Sequence, residues 1–111
     1  MEELKKETEE KISHLQMYEQ NIQSFLVQKQ QFQSQLIEIE SASEELDKTD
    51  TAYKIVGNIM VLSDKSELKS DLDSKKEVLE LRIKTMEKQE NQIREKATKL
   101  QSEILEMLNK K

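Results

Sequence analysis

A mainly α fold, a long antiparallel two-helix coiled coil with a single β-hairpin between the helices, is predicted for this 111-residue chain by three features. Both halves carry a heptad repeat, helix breakers are almost absent, and a β-branched stretch built around the only glycine sits at the midpoint. The chain has no proline, 37% charged residues and 34% hydrophobic ones. That is too little apolar mass to wrap a globular core, whereas two helices need only a stripe each. Disorder shares the low hydrophobicity and high charge, but disordered chains lack sustained periodicity and are rich in proline and glycine.

The first helix is expected over residues 1–48. Its a positions fall at Leu15, Ile22, Lys29, Leu36 and Ser43, and its d positions at Leu4, Lys11, Tyr18, Phe25, Phe32, Ile39 and Leu46. Alternate steps of three and four keep this set on one side of a helix. The second helix is expected over 64–111, with d at Leu72, Leu79, Met86, Ile93, Leu100 and Met107 and a at Lys76, Ile83, Glu90, Ala97 and Ile104. Each segment would reach roughly 70 Å at the α-helical rise. Folding the chain back at its middle pairs residues whose numbers total about 115, which sets Ile22 opposite Ile93 and Leu36 opposite Leu79 and brings Met1 and Lys111 together. Charge supports this pairing over a parallel dimer: Met1 to Lys48 carries 5 basic and 11 acidic residues, Lys65 to Lys111 carries 12 basic and 10 acidic. In that register the polar seam residues Lys29 and Glu90 lie about one helical turn apart, and their side chains are expected either to approach each other or to reach out to water.

A β-hairpin is expected over 51–63. Within it Tyr53-Lys54-Ile55-Val56 and Ile59-Met60-Val61-Leu62 flank Gly57-Asn58, and glycine at the first central position suits a type II′ turn. Alternation is incomplete, because Ile55 and Val56 are both apolar and so are all four residues from Ile59 to Leu62. Both faces therefore want burial, and a lone two-stranded sheet is marginal in water with open edges. Tyr53, Ile55, Val56, Gly57, Ile59, Met60, Val61 and Leu62 are thus the candidate oligomerisation residues, and several such hairpins closing into a barrel would cover them. After the hairpin, Ser63 or Asp64 can cap the second helix, with Glu67 at capping-box spacing from Asp64.

No enzymatic chemistry, metal or cofactor is expected. One histidine and no cysteine leave neither a histidine metal cluster nor a thiol nucleophile, and one glycine excludes the common phosphate loops. His14, at a g position, reads as a solvent-facing helical residue. The acidic total of −5 lacks the basic stripe that nucleic acid demands. No run of about 18 apolar residues is present, and Met1-Glu2-Glu3-Leu4-Lys5-Lys6 lacks the apolar core of a secretion signal, so no membrane partner and a cytoplasmic location are expected. Of the five methionines, Met86 and Met107 belong to the seam, whereas Met17, like Ile12, Leu105 and Leu108, does not. With Leu4, Leu15, Ile104 and Met107 of the seam, these residues form an apolar group near the paired chain ends, where coils fray, and are the candidate client-binding surface.

The run Tyr53-Lys54-Ile55-Val56-Gly57-Asn58-Ile59-Met60-Val61 between two heptad helices resembles the β class of the prefoldin subunit family. Gln28-Lys29-Gln30, Glu44-Glu45-Leu46 and Glu87-Lys88-Gln89-Glu90 extend the resemblance over essentially the whole chain, whose compact length is similar to archaeal members. Lys11 in the seam departs from a regular heptad. The resemblance implies a hexamer of two α-type and four β-type subunits, hairpins joined in a double β-barrel, and capture of unfolded clients between coiled-coil tips. It further implies transfer to a group II chaperonin without ATP. The competing expectation is a structural tether or scaffold that docks through its hairpin.

Overall fold

The computed structural model describes residues 2–109. Helix α1 spans Glu2–Asp47, strand β1 Ala52–Val56, strand β2 Ile59–Ser63 and helix α2 Lys65–Asn109. Neither helix holds a proline or glycine to interrupt its ladder, which is why 46 and 45 residues run unbroken.

The chain divides into two compact units, Met1–Lys29 with Thr85–Lys111, and Gln30–Lys84. In the first, which carries the chain ends, Lys11 pairs with Glu103 and Lys29 with Glu87, each at 3.4 Å. In the second, which carries the hairpin, Lys76 Nζ lies 3.8 Å from Glu40, Lys69 pairs with Asp47, and the Arg82 guanidinium stands 5.8 Å from the centre of the Phe32 ring. Every one of these pairs falls within one residue of the antiparallel register that the heptads predict. The expected meeting of Met1 with Lys111 lies outside the described residues.

Burial follows the heptads. From Lys11 onward, each a and d position of both helices is at least partly withdrawn from water, and Ile22, Leu79, Met86, Glu90 and Ile104 are buried. Leu4 is the exception and is exposed. No large side chain is fully buried among the described residues, as expected of a two-helix seam with solvent along both flanks.

The expected approach of Lys29 to Glu90 is not what forms. Lys29 pairs with Glu87, and the nearest cation to Glu90 is Arg94 on its own helix, 3.7 Å away. Glu87 occupies an e position at the solvent edge of the seam, so Lys29 can pair there while still hydrated, whereas meeting Glu90, which is already buried, would desolvate the lysine as well.

The ends of the helices explain the compact link to the hairpin. Helix α1 closes with Glu44, Glu45 and Asp47 and no basic residue in its last turn, an unfavourable charge at the negative pole of the helix. Lys48, 3.7 Å from Glu45, and Lys69, hydrogen-bonded to Asp47, compensate it. That bond and the adjacent positive charge hold the Asp47 carboxyl below the usual carboxylate range and the Lys69 ammonium above its own. Lys48 and Thr49 donate their amides to Glu45 O and Leu46 O, which tightens the final turn. Thr49 Oγ1 then accepts from the Thr51 amide at 3.3 Å, turning the chain toward β1. Asp64, rather than Ser63, caps α2: its Oδ1 accepts from the Ser66 amide at 3.1 Å, and its carbonyl accepts the first helical bond from Leu68. Glu67 makes no return bond, so the cap is single-sided.

Candidate assembly and client-binding surfaces

β1 and β2 pair antiparallel from Ala52 with Ser63 to Val56 with Ile59. Gly57 has a φ of +62° and Asn58 is not in the left-handed region, the signature of a type II′ turn, whose twist matches that of the strands. A two-residue turn makes Val56 and Ile59 a hydrogen-bonded pair. Alternation along an antiparallel ladder then leaves the amides and carbonyls of Tyr53, Ile55, Met60 and Leu62 pointing outward from the two edges.

The same register sorts the side chains. Tyr53 and Leu62, and Ile55 and Met60, are cross-strand partners on one face, which is apolar throughout. The other face carries Val56 opposite Ile59, Lys54 opposite Val61 and Ala52 opposite Ser63, and is apolar but for one lysine and one serine. All seven apolar residues from Tyr53 to Leu62 are exposed, between 45% for Val61 and 70% for Ile55. Only Ala52, at the foot of β1, is buried. Both sheet faces and both edges are thus unsatisfied in the single chain, and each of the candidate oligomerisation residues lies on them or, in the case of Gly57, makes the turn that aligns them.

The candidate client-binding residues all fall in the unit that carries the chain ends. Leu4, Ile12, Met17, Leu105 and Leu108 are exposed, Leu15 and Met107 are partly covered in the seam, and Ile104 is buried. The Lys11–Glu103 pair brings Ile12 beside the turn that holds Ile104 and Leu105. Ile12 and Leu108 are at e and Leu105 is at b, so the three share one flank of the antiparallel pair. Met17, at c, is on the other flank. The structure therefore gathers three of the off-seam residues and leaves Met17 apart.

Off-seam Val27, Ile37, Val78 and Leu81 are exposed as well, and sequence reasoning did not single them out. Their signal was present as apolar residues at b, c and f positions, where a lone two-helix coil has no use for them. Among the described residues no cluster of side chains could hold a metal ion, and no helix is long and apolar enough to cross a membrane.

Comparison with known proteins agrees with this architecture. The family described as "Prefoldin subunit" matches residues 2–111. Prefoldin subunit beta of Saccharolobus islandicus (strain L.S.2.15 / Lassen #1) is 38% identical, over 98% of this chain and 89% of that protein. Its counterpart in Archaeoglobus fulgidus is 36% identical, over 98% of this chain and 97% of its own length. Among solved structures, the prefoldin beta subunit from Thermococcus strain KS-1 superposes with a TM-score of 0.82 at 31% identity, covering 88% of this chain and 89% of that one.

Proposed function

This chain belongs to the prefoldin subunit family, and from that membership we propose that it is a β-type subunit of an ATP-independent chaperone that holds unfolded proteins and passes them to a group II chaperonin. In this reading the chain is a single prefoldin-like domain that works in the cytoplasm, with four copies joining two α-type subunits in a hexamer. Its hairpin supplies the assembly contact, and its chain-end coil supplies the contact with clients. The observation that carries the reading is the hairpin: seven exposed apolar residues on both faces of a two-stranded sheet with open edges make sense only when other strands cover them.

Clients are met by the flank formed by Ile12, Leu105 and Leu108, together with Leu4 and the neighbouring seam residues Leu15, Ile104 and Met107 as the coil frays. Met17 adds a smaller contact on the opposite flank. Such a patch is worth only about 2 to 4 kcal/mol at ~25 cal/mol per Å² before ordering costs, so one subunit binds weakly. Several on one assembly share a client through effective concentration, which combines firm capture with easy release. Nothing in this mechanism requires a catalytic residue or a cofactor.

The test is light scattering of a chemically denatured protein diluted into the complete assembly, against an assembly in which Ile12, Leu105 and Leu108 are serine. These side chains are exposed, so the coil keeps its seam and the assembly its hairpins. Suppression of aggregation is expected to weaken severalfold in the variant. Unchanged suppression removes the client-binding assignment, and an unmodified assembly that suppresses nothing favours the tether.

A further inference from the structure

One seam residue of the chain-end unit is chemically out of place. Glu90 occupies an a position, is only 8% exposed, and its Oε1 has no hydrogen-bond partner. Arg94, one turn further along α2 and half exposed, brings Nη2 to 3.7 Å of that oxygen, within reach for charge attraction but beyond a hydrogen bond. Lys29, the basic seam residue nearest in register, is engaged by Glu87. The adjoining seam residues Ile22 and Met86 are buried and offer no hydrogen-bond donor.

The other charged seam residues behave differently. Lys11, Lys29 and Lys76 keep part of their side chains in water, and each has its own carboxylate partner. Glu90 alone among the described seam residues has a side-chain oxygen, Oε1, that is buried without a hydrogen bond. A buried carboxylate in that condition penalises the closed seam, and it regains its hydration as soon as the helices part. The same parting uncovers Ile22, Phe25, Leu26, Met86 and Ile93. The charge therefore offsets part of the free energy that holds those apolar residues together.

We propose that Glu90 is a built-in weak point of the chain-end coil, which keeps the α1 and α2 segments of that unit ready to separate and offer their seam to an apolar stretch of unfolded polypeptide. The proposal rests on the client-binding reading above and adds to it a surface that the closed coil conceals.

The test compares the complete assembly with assemblies carrying Glu90→Leu or Glu90→Gln, by amide hydrogen exchange and by aggregation suppression. In the leucine variant, exchange over residues 18–29 and 86–97 is expected to slow about tenfold or more, equivalent to about 1.4 kcal/mol, with residues 36–46 and 68–79 unaffected. The glutamine variant, which removes the charge at nearly constant shape, is expected to slow the same segments by less and serves if the leucine variant assembles poorly. Aggregation suppression is expected to fall in the same order. Exchange that is unchanged or faster in both variants overturns the weak point. Slower exchange with undiminished suppression overturns its use in capture. Should the unmodified assembly suppress no aggregation, the client-binding reading itself fails, a result separable from the exchange comparison because exchange is read without a client.

Discussion

The hairpin and the chain-end coil invert the usual relation between sequence and burial. Between Tyr53 and Leu62 apolar residues dominate, yet all of them are exposed. In the coil of residues 2–29 and 85–109 charge dominates, yet a carboxylate is buried. The coil satisfies its heptads within one chain, because from Lys11 onward each seam residue of α1 falls opposite a seam residue of α2. The hairpin cannot do so, since two strands have no second layer to pack against. One region thus covers its apolar residues as folded, and the other leaves both faces and both edges open.

The largest effect expected from breaking this contrast is on assembly. Ile55 and Met60 are cross-strand partners on the all-apolar face, and Ile55→Lys with Met60→Glu places charges where neighbouring subunits would cover them. With about 1.5 to 3 kcal/mol lost for each of the two buried side chains, subunit affinity should fall by about a hundredfold or more, to lone chains in analytical ultracentrifugation that keep their helical circular dichroism. A smaller effect belongs to the seam. Leu79 is 6% exposed, and Leu79→Ala should lower unfolding stability by about 2 to 3 kcal/mol in urea titration without dissociating the assembly beforehand.

Next come two local devices of the unit that carries the hairpin. Gly57→Ala meets no atom within 4 Å, so its penalty is that of the left-handed backbone alone, about 1 to 2 kcal/mol in thermal melts. Asp64→Ala, which removes the cap of α2, should cost about 1 kcal/mol by the same measurement. The smallest effect concerns Asp47 and Lys69, which are exposed. The lowered carboxyl pKa of Asp47 adds stability at neutral pH that disappears as pH falls through its folded value. The raised ammonium pKa of Lys69 adds stability that disappears as pH climbs through its own. Asp47→Asn should flatten the acid limb of the stability profile slightly, and salt should shrink the difference.

Much of this was legible in the sequence, for reasons that separate backbone from side chain. Heptad spacing and the absence of breakers determine which residues of α1 and α2 share a face, so the seam and its antiparallel register could be read in advance. Gly57-Asn58 between β-branched residues likewise sets turn type, strand register and the apolar face. What could not be read depends on where a flexible polar side chain goes. Lys29 lies close enough in register to reach either Glu87 or Glu90, and desolvation decides between them. Whether Asp64 or Ser63 caps α2 turns on a single backbone step, and the isolation of Glu90 depends on Arg94 falling short of a hydrogen bond.

The central claim, that the hairpin is finished by other subunits and the coil by its own chain, is tested most directly by amide exchange before and after mixing with an α-type partner. The outward amides of Tyr53, Ile55, Met60 and Leu62 should go from rapid exchange to at least about a hundredfold protection on assembly, while amides around Ile22 and Ile104 change little. Hairpin amides that stay unprotected in the assembly, with new protection confined to the coil, would contradict it.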